Sequence, residues 1–211
     1  MPRWLIYGLI AVVLWGVWGL VFAAASTMMS PLTVQVLSTI GLLPVAIALL
    51  FSRDVWAGQD HRRGVVWGLA TGLGGVLGTI LLSQAFLMGG EASIVPPLSA
   101  MFPLVTLFLA LIFLRERLNI IQAVGIGVAL LAIYLFSSVE GSDTEGWSLA
   151  SMLAPWMLSA LAALVLFGIQ GITQKLSTND ISVELGTICY AIVSVVAAVG
   201  ISATQDVEWV L

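Results

Sequence analysis

All seven basic and all eleven acidic residues of this 211-residue chain fall outside seven long stretches that carry no charge. These stretches run Trp4–Ala25, Pro31–Ser52, Gly64–Met88, Ala92–Leu114, Asn119–Phe136, Leu149–Thr173 and Leu185–Ala203, and His61 lies outside them as well. A bilayer core of about 30 Å is crossed by about 20 apolar residues of helix, and ionised groups are expensive inside it. Such segregation marks an integral membrane protein. With 60% hydrophobic and 9% charged residues, against about 25% charged in soluble proteins, the chain cannot hydrate the surface of a globule. A disordered chain, a disulfide scaffold and a nucleic-acid binder are excluded together, because Cys189 is the sole cysteine and the net charge is −4.

The stretches are rich in Gly, Leu, Val and Ala without period-2 alternation, which excludes a β-barrel. The expected fold is an all-α bundle of seven transmembrane helices. Threading them in order places Arg3, Arg53, Arg62, Arg63, Arg115, Arg117 and Lys175 on one side, so the N-terminus is expected in the cytoplasm of a cell whose plasma (inner) membrane holds the chain. Glu91, Glu140, Asp143, Glu145, Asp206 and Glu208 fall on the other side. Ala23-Ala24-Ala25 before Ser26 imitates a signal-peptide cleavage site. The preceding apolar stretch is too long for that reading.

The first stretch contains Trp15-Gly16-Val17-Trp18-Gly19 and the sixth contains Phe167-Gly168-Ile169-Gln170-Gly171, a spacing of 152 residues that also sets Ser30 over Ser182. Five helices separate the two copies, so the second must cross the membrane in the opposite sense, which is an inverted repeat. Close packing at small residues is the simpler explanation of such glycine pairs. If the first unit spans 4–136, the external loop 137–148 and the start of a second unit 149–211, a second unit of equal length needs about three helices more than the chain supplies. A fragment or truncated frame is therefore expected.

From Ala85 to Leu135 the order and spacing of Ala85, Gly90, Ala92-Ser93, Pro97-Leu98, Pro103, Leu114, Glu116-Arg117-Leu118 and Gly125 resemble the EamA domain of the drug/metabolite transporter superfamily. The resemblance covers one whole domain and the opening of a second. It implies ten helices as two inverted five-helix units, cytoplasmic termini, and a substrate path between the units. Two positions depart from the pattern. Ala132 stands where a second glycine is usual, and Ala23 where a lysine is usual, while Lys175 keeps that basic residue at the repeat spacing.

Polar side chains at helix centres should face the protein interior, since an unsatisfied polar group in hydrocarbon costs several kcal/mol. The candidate substrate-binding residues are Trp15 and Trp18, three apart on one face, with Gln35, Ser83, Gln84 and Gln170. Aromatic walls could stack on a ring or an amine, and neutral amides and hydroxyls suit polar metabolites. Helix packing and interhelical hydrogen bonding are the plainer roles for the same residues. Gly68, Gly72, Gly74, Gly75 and Gly78 offer smooth faces for close packing or for a rocking helix. Pro96, Pro97 and Pro103 should break the fourth helix. Glu116 reads as a structural carboxylate near a helix N-terminus that Asn119 caps.

No stretch holds an acidic residue, so proton coupling through a membrane-buried carboxylate has no candidate. Catalysis fails likewise, with His61 alone in a loop and Cys189 without a partner. The sequence points to a carrier of small polar metabolites or drugs working by alternating access, without cofactor or metal. Its partners are the bilayer and a small-molecule substrate, and a homodimer is compatible. The alternative is a truncated, non-transporting membrane fragment or scaffold.

Overall fold

The structure is a computed structural model that describes residues 3–114, 119–120, 123–128, 131 and 154–204. The described residues form helices α1 (Arg3–Met28), α2 (Pro31–Leu50), α3 (His61–Leu87), α4 (Val95–Ser99), α5 (Phe102–Leu109), α6 (Pro155–Asp180) and α7 (Val183–Thr204). A π-helical turn, Ala110–Leu114, extends α5. Six spans among them are long and apolar enough to cross a membrane, α4 to the π turn counting as one. Half of the fifth charge-free stretch, the loop 137–148 and the Glu116 turn lie outside the described residues, and 123–128 are helical.

Helix ends follow from local chemistry. Ser30 caps α2 by accepting from Thr33 N at 3.3 Å, with Pro31 supplying a preset first turn. Asp60 caps α3 by accepting from Arg63 N at 3.1 Å. That helix stops at Gly89, whose φ of 92° is left-handed, and Gly90 N closes on Ala85 O at 2.9 Å. Ser182 caps α7 by accepting from Leu185 N at 3.1 Å.

Three boundaries expected from charge alone move. His61, expected in a loop, is the first residue of α3 and carries Arg62 and Arg63 into its first turn. Lys175 sits on α6, which continues to Asp180, rather than between helices. Glu184 belongs to the first turn of α7. Long or terminal charged side chains reach the polar interface from within a helix, so a charge-free window clips helix ends. The fourth stretch is broken, as its prolines require: Pro96 occupies the first turn of α4 and Pro103 that of α5.

The bundle centres on α3, which packs most extensively against α6 and next against α7, while α2 also meets α7 and α5 meets α6. The α3–α6 seam is antiparallel. Ser177 Oγ donates to Gly64 O at 2.9 Å at one end, Thr71 reaches Thr173 at 3.0 Å in the middle, and Ser159 Oγ donates to Leu81 O at 2.9 Å at the other. Glycines permit this approach. A Cβ at Gly78 would stand 2.6 Å from Cε1 of Phe167, and one at Gly72 would stand 2.8 Å from Cβ of Val193 on α7.

One core cluster joins Phe22, Ala23, Val34, Leu82, Ala85, Phe86, Val95, Ala160 and Ala163. The last turns of α1 therefore lie at the end of the bundle where α6 begins. At the opposite end Val55, Ile181 and Leu185 form a second cluster, where the α2–α3 loop grips the α6–α7 turn. Ser182 N donates to Ala57 O and Gln59 N to Asp180 O, both at 2.9 Å, and Arg63 pairs with Asp180 at 3.5 Å.

Candidate functional site

Phe102 opens α5 beside its proline, and this break aims its ring at the bundle. Trp15 of α1 approaches it from one side with ring centroids 5.9 Å apart, and Phe167 of α6 from the other at 6.3 Å. Trp15 and Phe167 are the aromatic residues matched by the 152-residue repeat, so repeat-equivalent positions converge on one ring. Phe167 in turn lies over Gly78 of α3. One helical turn along α1, Trp18 stacks on Phe22 at 4.8 Å, and Phe22 meets the Phe86 edge at 6.4 Å. Offset and tilted ring pairs of this kind contribute about 0.5–1.5 kcal/mol beyond their buried area.

This aromatic wall is open on one side: Trp15 is 65% and Trp18 48% exposed. Trp15 and Trp18 lie in two adjacent ring clusters. Phe22, Phe86, Phe102 and Phe167 were not singled out by sequence reasoning. Phe167 was within reach of it, as the repeat mate of Trp15; Phe102 was not, because only the helix break turns it inward.

The polar candidates divide. Ser83 is fully buried on α3, one turn before Phe86, and its hydroxyl has no protein partner. Gln84 follows it, half-buried. Gln170, also half-buried, presses its Cβ toward Gly74 in the seam, and its carbonyl accepts from Thr173 Oγ1 at 3.0 Å. Gln35 is apart from these, in the α2–α7 interface. Its Nε2 donates to Thr39 Oγ1 at 3.4 Å, Thr39 in turn reaches Ser194 O at 3.4 Å, and Gln35 Oε1 is buried without a partner. Pro96 and Pro97 are half-buried beside the core cluster, and Pro103 is exposed. Ser99 Oγ donates to Pro96 O at 2.9 Å, so this carbonyl at the break is occupied.

A further residue emerges from burial. Ser26 of α1 is fully buried with an unpartnered hydroxyl, one turn beyond Phe22. A buried donor or acceptor left unmatched costs about 1–3 kcal/mol, so the Ser26 and Ser83 hydroxyls and the Gln35 Oε1 acceptor each favour a polar partner. No group of three or more His, Cys, Asp or Glu lies together among the described residues. Rings and neutral dipoles can bind and release a solute.

Residues 2–138, a stretch that contains α1 to α5, match the family model described as EamA-like transporter family. An uncharacterized protein of Methanocaldococcus jannaschii is 32% identical to the chain over 138 residues, which make up 65% of this chain and 98% of that protein. No solved structure matches the chain.

Proposed function

The chain belongs to the EamA-like transporter family, and from that premise we propose that it carries small polar metabolites or drugs across the plasma membrane by alternating access. The N-terminus is cytoplasmic in this reading. The single observation that carries the site is the convergence of Trp15, Phe102 and Phe167 from three helices on one open wall, with the buried Ser83 hydroxyl and Gln84 on the neighbouring α3. Rings supply the broad contact, and neutral amides and hydroxyls supply orientation.

Residues 4–136 form one five-helix unit in this reading, 137–148 the external loop, and 149–211 the opening of an inverted second unit. Helix bounds support it. Met28 and Asp180 end α1 and α6, and Pro31 and Val183 begin the next helices, each pair offset by 152. The caps Ser30 and Ser182 keep the same offset, and Asp54-Val55 recurs in the sequence as Asp206-Val207. Inversion is supported by the core cluster in which the end of α1 meets the start of α6. The archaeal relative, nearly all of it aligned over 138 residues, has about the length of one such unit.

A scaffold without transport is the second reading, favoured by the long uncovered face of α1. Flux decides between them. Vesicles holding the full chain should take up or release solutes from a mixed metabolite panel. Trp18→Ala and Gln84→Ala should abolish that flux while membrane insertion stays normal. Unchanged flux in both variants would remove the site, and no flux of any solute would favour the scaffold.

A further inference from the structure

Several hydroxyls on the helices of this chain satisfy themselves on the carbonyl four residues back. Thr39 donates to Gln35 O at 2.9 Å, Thr71 to Trp67 O at 2.9 Å, Thr106 to Phe102 O at 3.2 Å and Thr187 to Val183 O at 2.8 Å. Ser26 and Ser83 have Phe22 O and Thr79 O at the same spacing and leave them unused, although both side chains are fully buried. A buried hydroxyl that passes over an acceptor on its own backbone is directed off its helix, toward a partner the protein does not supply.

The two hydroxyls bracket a ring contact. Phe22 meets Phe86 edge-on at 6.4 Å, and both rings belong to the core cluster at the end of the bundle where α1 and α3 finish and α6 begins. Ser26 follows Phe22 by four residues on α1, and Ser83 precedes Phe86 by three on α3. At a helical rise of about 1.5 Å per residue, Ser26 lies about 6 Å to the end side of the rings and Ser83 about 4.5 Å to the interior side. Trp18, stacked on Phe22 at 4.8 Å from one turn earlier, is on the Ser83 side, and Trp15 with its Phe102 contact is a further turn in. A line from the aromatic wall to this end therefore passes Ser83, the ring pair and Ser26 in that order. The opposite end is fastened by backbone hydrogen bonds, Ser182 N to Ala57 O and Gln59 N to Asp180 O. Here the contact between α1 and α3 is made by rings, which part by rotating about χ1 with the helices in place.

We propose that Ser26 is a second, end-side subsite for the solute, separated from Ser83 by a Phe22–Phe86 ring gate, and that the two hydroxyls hand between them the hydroxyl or amide group of an uncharged solute. The inference rests on the transport reading above and adds to it a binding residue, a gate and a substrate class. Each serine both donates and accepts, which fits groups that do the same. No charged residue occurs on α1 after Arg3 or on α3 after Arg63, so neither helix offers a counter-charge to an ion at this depth.

The experiment uses the full chain in lipid vesicles, with Cys189→Ala removing the native thiol. A membrane-impermeant methanethiosulfonate reagent added on the side where α1 ends should label Ser26→Cys faster than Ser83→Cys. Phe22→Leu, which keeps apolar bulk and removes the ring, should speed labelling at Ser83→Cys and leave Ser26→Cys as it was, and Phe86→Leu should do the same. Equal acceleration at both positions, or none at Ser83→Cys, would overturn the gate. Ser26→Ala should raise KM about tenfold for hydroxyl- or amide-bearing solutes, while the unfolding temperature holds or rises, because this hydroxyl gives the fold no hydrogen bond. An unchanged KM would overturn the subsite, and so would a fall in the unfolding temperature, which would make the hydroxyl structural. Labelling and unfolding need no flux. A chain that carries no solute fails the transport reading, whereas a failed labelling order with flux intact fails this proposal alone.

Discussion

Thr71 of α3 and Thr173 of α6 meet at 3.0 Å between hydroxyl oxygens, midway along the antiparallel seam. Thr173 gives its own proton to Gln170 O at 3.0 Å, so it can accept from Thr71, which also lies 2.9 Å from Trp67 O. The pair links two helices across glycine-lined surfaces where no charged residue intervenes.

Thr71→Val and Thr173→Val should each lower stability slightly, and the double-mutant cycle should give a coupling of about 0.6 kcal/mol, the mean for interhelical hydrogen bonds in a membrane protein. Reversible unfolding in mixed micelles measures it. A coupling of zero would mean that shape alone holds the seam.

Much of this arrangement was legible in the order of residues. Charge exclusion marked the six described spans because the bilayer penalises ions whatever the fold, and the 152-residue spacing set Ser30 over Ser182, both of which turn out to cap helices. Helix ends were less legible, since Arg62, Arg63 and Lys175 stay helical while their charges reach water. The role of Gln35 could not be read, because an amide that bonds a solute and one that faces Thr39 across a turn are the same residue type. Phe102 was invisible for a different reason: its direction depends on the turn at Ala100 and Met101 that the flanking prolines create.

Gly78→Leu should be among the most damaging single changes in α3. Phe167 occupies the space a side chain would need, with a clash at 2.6 Å already at Cβ. Overpacking of this kind costs about 1–3 kcal/mol, and the displaced ring would also leave Phe102. Thermal unfolding should fall and flux should fail together, whereas Gly125→Ala, whose Cβ would meet nothing within 4 Å among the described residues, should change neither.

Phe102→Ala should reduce flux as strongly as Trp15→Ala, although only Trp15 carries a polar group. Both remove one member of the same ring contact, and Phe102→Ala also releases Phe167. Phe102→Leu restores volume without a ring. If transport returns in the leucine variant, the wall acts by packing; continued loss assigns the ring face to the solute.

At the other end of the bundle, Gly58 and Arg63 hold the α2–α3 loop against the α6–α7 turn by different means, and their replacement should separate backbone from charge. Gly58 has a φ of 149°, a conformation that L residues rarely adopt, and a Cβ there would strike Asp180 O and stand 2.9 Å from Ile181 Cα. The strained dihedral alone costs on the order of 1–3 kcal/mol in Gly58→Ala. The clash would further open the pairing of Ser182 N with Ala57 O and of Gln59 N with Asp180 O. Arg63 reaches Asp180 at 3.5 Å with a side chain 63% exposed, a geometry in which solvent screening leaves about 0–1 kcal/mol. Arg63→Ala should therefore leave stability and salt dependence nearly unchanged, while Gly58→Ala should lower the unfolding temperature and expose the loop. Limited proteolysis between Val55 and Arg62 reads that exposure. Faster cleavage in Gly58→Ala than in Arg63→Ala is expected, and the reverse order would show that the ion pair, rather than the backbone pairing, fastens this end.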